Sequence, residues 1–459
     1  MADYVPHTDA EVAAMLASLG LGTLDELFAV VPEVLRLAAR PSPAAAGATR
    51  YLDVADGLGE PDVVAAMEAL AAANIACTGR GIGRGEGLVC FAGGGAYDHE
   101  IPEAVRSLAS RSEYVTAYTP YQPEVAQGVL QALFEYQTLV ARLSGLDVAN
   151  ASLYDGASAC VEAANLAAAA TGRATVWVSA GVHPHWRATM ATFAAGSGLE
   201  LVGASLSGGV TSWQEPPAEV AALVVQYPNY RGCLEDLALA RQAADAAGAL
   251  LVVALDPVAA GLLRSPGSWG ADVVVGEGQP FGTPLSFGGP YLGLFACRSA
   301  YVRRLPGRLV GETVDTEGRR AYVSTLRTRE QDIRREKASS NVCTNQTLIA
   351  VACAIQLSWL GTSGLRELAL RCARATRYTR EAVLAIDGVE LLHPAPTLRE
   401  FALRLPTDPE VVVERMVGEG FLAGIPVREG EPGLLVAATE RRTRAEIDGY
   451  AAALAKVLA

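Results

Sequence analysis

Schiff-base chemistry on carbonyl groups needs a primary amine, and this chain has few. Of its 37 basic side chains only Lys337 and Lys456 are lysines, and the rest are arginines. A nucleophilic amine therefore has two candidates. A phosphate-cradling loop closed by lysine has none, because neither lysine follows a glycine run. The glycine-dense stretch 79–95 never satisfies G-x-G-x-x-G, since Arg84, Glu86, Leu88, Cys90 and Asp98 stand at the third-glycine positions. It reads as irregular backbone with positive φ. The eight cysteines form no C-x-x-C pair and have no histidine at ligand spacing. They read as small buried residues in a reducing cytoplasm, and no metal site is expected.

The elements that must position such chemistry follow from length and periodicity. With 459 residues, 51% of them hydrophobic, and a net charge of −13, the chain reads as globular, acidic and too long for one core. It lacks the basic footprint of a nucleic-acid binder. The arginines of 327–337 alternate with Glu330, Asp332 and Glu336, as on a solvated helix face laced with ion pairs. The N-terminus is acidic, and the longest apolar run, Leu348 to Leu360, has 13 residues against the ~20 that span a bilayer. No export or membrane signal is expected, and a cytoplasmic location is.

Capping boxes at Thr8/Glu11 and Thr23/Glu26 open short helices over 8–38, and a helix is predicted over 61–73. Val125, Val129, Leu133, Tyr136, Val140 and Leu143 recur at helical spacing, with Gly145 placed to end the run. Apolar strands at 175–179, 199–204, 222–226 and 249–255 alternate with helical segments, and further strands fall at 272–275 and 291–297. That rhythm predicts a mainly parallel sheet covered on both faces. A helical region over 325–386 precedes strands near 389–392, 401–405 and 434–438 and helices near 409–418 and 443–458, a small α+β domain. The expected divisions are an N-terminal helical segment (1–60), a large α/β domain (61–325), and a helical connection with the small domain (326–459).

In open α/β sheets functional groups sit at the carboxyl ends of strands. Asp256 directly follows ALLVVAL, and the strand ADVVVG comes 16 residues later. Alone, Asp-Pro reads as a turn. Enzymes of the pyridoxal-phosphate fold, however, end one strand in an Asp that pairs with the pyridinium nitrogen and a second in the Schiff-base lysine. Here the second position is Gln279.

Around these residues stand GAYDHEIP (95–102), TAYTPYQPEVAQGVLQALFEYQ (116–137), NASLYDGASA (150–159), GVHP (181–184), FGGPYLG (287–293), LPGRLVGETVDTEGRR (305–320) and REKASSNVCTNQ (335–346). In this order they resemble the first subunit of the two-subunit glycine decarboxylase, the P-protein of the glycine cleavage system. The resemblance implies a pyridoxal-phosphate-dependent transferase fold (fold type I), α/β, with a mainly parallel central sheet and a small C-terminal α+β domain.

It also implies that pyridoxal 5'-phosphate is held by the lysine of a second P-protein subunit, in a two-plus-two heterotetramer. Glycine would lose CO2 there and pass its aminomethyl group to the lipoyl carrier, the H-protein. This chain, with Gly278 and Gln279 where the partner has His-Lys, would complete that site, and alone would be inactive. Asp256 and His183 match the pyridinium-pairing and ring-stacking positions as relics. Asp155 to Ser158 would open a helix suited to an anion such as phosphate, or serve as an ordinary cap. Tyr97, Asp98, His99, Tyr118, Tyr121 and Gln122 are expected either to rim the partner's site or to plug the subunit interface. Lys337 belongs to a motif that reads as structural or interfacial. The rival reading is a structural or regulatory subunit that contacts no substrate.

Overall fold

The computed structural model describes residues 6–36, 40–41, 49–50, 57–77, 87–115 and 119–459, which divide into two compact units at Ile75/Ala76. In the first, Thr8 and Glu11 form the capping box of helix Asp9–Ser18. Thr23 binds the Glu26 carboxylate at 3.1 Å, but the turn it opens, Leu24–Phe28, is 3-10 and its backbone takes no cap. Helix Glu60–Ala72 starts on Pro61, whose missing N–H costs nothing in a first turn.

The second unit is built on a seven-stranded sheet. Its strands are β1 (Val148–Ala149), β2 (Thr175–Ser179), β3 (Glu200–Ala204), β4 (Val220–Tyr227), β5 (Leu250–Leu255), β6 (Val273–Glu277) and β7 (Gly293–Cys297), in spatial order β1-β7-β6-β5-β4-β2-β3. The five strands from β3 to β6 are mutually parallel, whereas β7 runs antiparallel to both its neighbours, β6 and β1. β5 and β6 are buried at every position because helices cover both faces, which is why their sequences are unbroken apolar runs. The register pairs Leu255 with Tyr227 on one side and Gly276 on the other. It sets Asp256 and Glu277 level at the sheet's carboxyl edge, with Gln226, opposite Ala254, lining the same hollow.

Helix Gln127–Ser144 buries Val129, Leu133, Tyr136 and Val140 and ends at Gly145 with φ 71°. Downstream, the continuous helical region expected over 325–386 is not what forms. A hairpin, Leu309–Val314 with Arg320–Thr325, is followed by short turns at Arg327–Arg329, Gln331–Arg334 and Arg335–Lys337. Leu326 and Arg335 adopt positive φ, which interrupts any helix, so Lys337 lies in an exposed turn. Helix Thr347–Val383 is long and apolar enough to cross a membrane, but it breaks at Gly361, and its residues Ala350, Cys353 and Leu357 pack into the core beside the sheet.

The chain ends in a four-stranded antiparallel sheet, in order Glu390–Leu391, Glu400–Arg404, Gly433–Ala437, Ile425–Val427, backed by helices Pro409–Gly418 and Arg444–Leu458. Its core stacks Phe91 on Tyr450 with ring centroids 4.1 Å apart. Val89–Cys90 pairs in parallel with Phe421–Leu422, so the glycine-rich segment 93–95 is delivered from this small sheet to the carboxyl edge of the large one.

Candidate functional site

Asp256 follows β5 and accepts the Val258 N–H at 3.0 Å; its other oxygen lies 2.6 Å from Nη2 of Arg399. Arg399 arrives from the opposite direction, immediately before strand Glu400–Arg404. Its guanidinium sits 3.5 Å above the centre of the Tyr97 ring and donates to Nε2 of His99 at 2.6 Å. With Nε2 an acceptor, Nδ1 carries the proton and donates to Glu440 at 2.7 Å. Glu400 accepts from the Gly94 N–H at 2.6 Å and from the Tyr97 hydroxyl at 2.9 Å. Asp98 pairs with Arg441 and, at 3.0 Å, with Arg442.

Tyr97, Asp98 and His99 are therefore buried inside this chain, tied to its C-terminal sheet. Burial drives the Tyr97 hydroxyl well above its ordinary pKa and raises the Asp98 carboxyl against the pull of Arg441 and Arg442. Burial also lifts Glu400 to about 7. For Glu440 burial is outweighed by the hydrogen bonds from His99 and from the Glu100 N–H, which bring it down to about 2.

The lysine position is closed as well. Gln279 is 1% exposed, donates from Nε2 to the Thr283 carbonyl at 2.8 Å, and accepts the Tyr97 N–H at 3.4 Å. Helix Gly156–Thr171 does open at Asp155, but carboxylates have taken two of its N–H groups. Asp155 accepts from Ser158 at 2.7 Å, and Glu277 accepts from Gly156 at 2.9 Å. Glu277 also receives the N–H groups of Gln279 and Leu292, yet burial prevails and raises it to about 7. The Trp186 indole covers this end so closely that a Cβ on Gly156 would stand 2.2 Å from it. His183 donates from Nε2 to the Gly94 carbonyl at 2.7 Å and accepts the His185 N–H on Nδ1; burial lowers its pKa to about 4, so it is neutral.

What remains between Asp256, His183, Glu277, Arg399 and Glu400 is a cavity of about 40 Å³, space for a few waters and none for a pyridine ring. The residues here do not fit pyridoxal phosphate. An internal cation stands against Asp256, an amide replaces the amine, and carboxylates occupy the anion end. Beside it opens a cleft of about 920 Å³ between Ser158, Trp186, Tyr230, Gln346 and Arg428.

The structure gathers Tyr97, Asp98, His99, Asp256 and Gln279 into one buried network and sets Asp155, Ser158 and His183 at its margin. Tyr121 and Gln122 lie apart and exposed, the Tyr121 ring 5.0 Å from the Arg308 guanidinium. Tyr118 lies outside the described residues. Donor atoms of His99, Cys372 and Glu440 converge within 4.8 Å, but Arg399 holds the free nitrogen of the imidazole, which makes the group an ion-pair network rather than a metal cradle. Arg399, Glu400, Glu277 and Glu440 went unread in the sequence. Their one signal is the pair of charges Arg399-Glu400 at the entry to an apolar strand.

Fold and strand-end geometry together define a fold type I pyridoxal-phosphate enzyme scaffold. The sequence model of the glycine cleavage system P-protein matches residues 2–454. The probable glycine dehydrogenase (decarboxylating) subunit 1 of Desulforamulus reducens is 45% identical over 99% of both chains. A crystal structure of glycine decarboxylase (P-protein) of the glycine cleavage system, in inhibitor-bound form, superposes with a TM-score of 0.90 at 44% identity, covering 99% of this chain and 100% of that one. A sphingosine-1-phosphate lyase of Burkholderia pseudomallei shares the fold alone, with a TM-score of 0.61 at 15% identity, covering 91% of this chain and 94% of its own. This chain belongs to the glycine cleavage system P-protein family and is similar throughout to its subunit 1 members, subunits of the decarboxylating glycine dehydrogenase.

Proposed function

We propose that this chain is the subunit without the Schiff-base lysine in a two-subunit glycine decarboxylase. It completes the partner's active site for decarboxylation of glycine and aminomethyl transfer to the lipoyl arm of the carrier protein. The observation that carries this reading is the filled cofactor position, Asp256 held by Arg399 beside Gln279. A chain with that interior has no means of its own to hold pyridoxal phosphate, which belongs on the lysine of the partner. The assembly is a two-plus-two heterotetramer. Exposed Tyr121 and Gln122 line the entrance to the shared site, while Tyr97, Asp98 and His99 fix from beneath the segment that leads to it.

The test is absorbance and glycine–CO2 exchange for the chain alone and for the complex co-purified with the candidate partner. Alone, the chain gives no Schiff-base band and no exchange, and the complex gives both. A stoichiometric band in the isolated chain, abolished by Lys337→Ala, would overturn the proposal. Exchange unchanged on replacing His99, Tyr121 and Gln122 one at a time would favour a purely structural subunit.

A further inference from the structure

Two of the buried arginines are paired with carboxylates, Arg399 with Asp256 and Arg442 with Asp98, and a third, Arg231, donates to the Glu429 carbonyl. That pairing is the general condition for burying a guanidinium. Arg308 departs from it. It is 7% exposed, yet no carboxylate lies within 4.0 Å and no hydrogen-bond acceptor among the described residues meets its guanidinium. Its contact is the Tyr121 ring, 5.0 Å away, which orients the planar head without neutralising it.

The placement is rigid. Arg308 lies in LPGRLVG, where Leu305, Leu309 and Val310 are buried and the Arg308 carbonyl accepts the Ala151 N–H at 2.8 Å. The side chain lines a recess of about 70 Å³ with Tyr121, Ser324, Arg327, Glu330 and Asp332. Arg327 is spent on Asp332 at 3.1 Å. Arg329, which does not line the recess, donates to the Leu305 carbonyl and keeps two further buried nitrogens unpaired. Of the two guanidinium groups that line the recess, Arg327 is thus paired, and Arg308 is left without a carboxylate within 4.0 Å among the described residues.

We propose that Arg308, seated on Tyr121, is the oxyanion-recognition residue this chain contributes to the shared active site, taking a carboxylate or phosphate oxygen of a ligand bound there. The inference rests on the reading that the chain completes its partner's site. A planar fork of donors suits either group, and the two sources are the carboxylate of glycine and the phosphate of pyridoxal phosphate.

The experiment uses Arg308→Met and Arg308→Lys in the reconstituted two-subunit enzyme, with assembly checked by co-purification and folding by thermal unfolding. If the carboxylate is the ligand, R308M raises the glycine KM at least tenfold and leaves cofactor affinity within twofold. If the phosphate is, the cofactor Kd rises at least tenfold and the KM holds. R308K, keeping the charge without the fork, falls between. Should R308M fail to assemble, Arg308→Gln is read the same way. An assembled variant with both constants within twofold of wild type overturns the inference. Failure of the shared-site reading is distinct: adding the wild-type chain would then leave the partner's constants unaltered.

Discussion

Arg399 and Asp256 face each other at 2.6 Å across the junction of the central sheet and the C-terminal sheet, both nearly sealed from solvent. Burial opposes the charge on Arg399, and the Asp256 carboxylate more than restores it, raising its pKa. The pair closes the position a cofactor ring would need, and its strength depends on both members being present. Asp256→Ala leaves a buried cation without its ion-pair partner, beside the Tyr97 face, His99 and Glu400, at a cost of about 3–5 kcal/mol. Removing both charges, as in Asp256→Ala with Arg399→Met, recovers much of that loss. Urea unfolding of the two single variants and the double checks it. Strict additivity would show that the charges do not act as a pair.

Restoring the missing amine does not restore a cofactor site. In Gln279→Lys the new ammonium enters a pocket with no room for a pyridine ring, and the helix start at Gly156 remains satisfied by Glu277. The expected outcome on adding pyridoxal phosphate to the isolated Q279K chain is no stoichiometric Schiff-base band. A saturable band reduced by borohydride onto residue 279 would mean that the pocket opens readily.

Much of this was legible in the sequence. Continuous apolar runs gave β4, β5 and β6, and the strand ends located Asp256 and Gln279, because a parallel sheet leaves its functional edge where the strands stop. The plug was not legible. Arg399 lies 143 positions after Asp256, and nothing local marks a side chain that acts across a domain junction. The strand Ile425–Val427 escaped for a simpler reason, since Pro426 argues against a strand except at an edge, and this one is an edge. The short turns over 327–337 were masked by helix-like charge spacing that positive φ at Leu326 and Arg335 overrides.

The two buried carboxyls near neutrality predict a pH dependence of stability. Glu277 and Glu400 are each raised to about 7, by burial above all, against ~4.3 in an unfolded chain. Between those values the folded state holds more protons. Their contribution is therefore complete below pH ~4.3 and is lost as pH rises through 7, on the order of 3 kcal/mol each. His183, lowered to about 4, acts in the opposite sense: its contribution is complete above pH ~6.5 and is lost as pH falls to about 4. Comparing Glu400→Gln with wild type isolates one group: the variant gains on wild type by about 2–3 kcal/mol between pH 5 and 8, read from urea midpoints. A pH-independent difference would place Glu400 at an ordinary acidity.

The loop after β4 is fitted to the strand that carries Arg399 and Glu400. Gly232 has φ of 80°, and a Cβ there would stand 2.0 Å from the Glu400 carbonyl oxygen, a backbone atom that can yield only if the strand moves. Gly430 has φ of 74° and nothing within 4 Å of its Cβ position. Gly430→Ala therefore pays for left-handed backbone alone, about 1 kcal/mol, whereas Gly232→Ala adds a steric conflict and costs upwards of ~3 kcal/mol. Because the displaced strand bears both partners of Tyr97, the G232A change also weakens the plug, seen as faster amide exchange at Gly94, whose N–H Glu400 accepts. Equal losses in the two alanine variants, with exchange at Gly94 unaltered, would show that the loop and strand separate without consequence for the site.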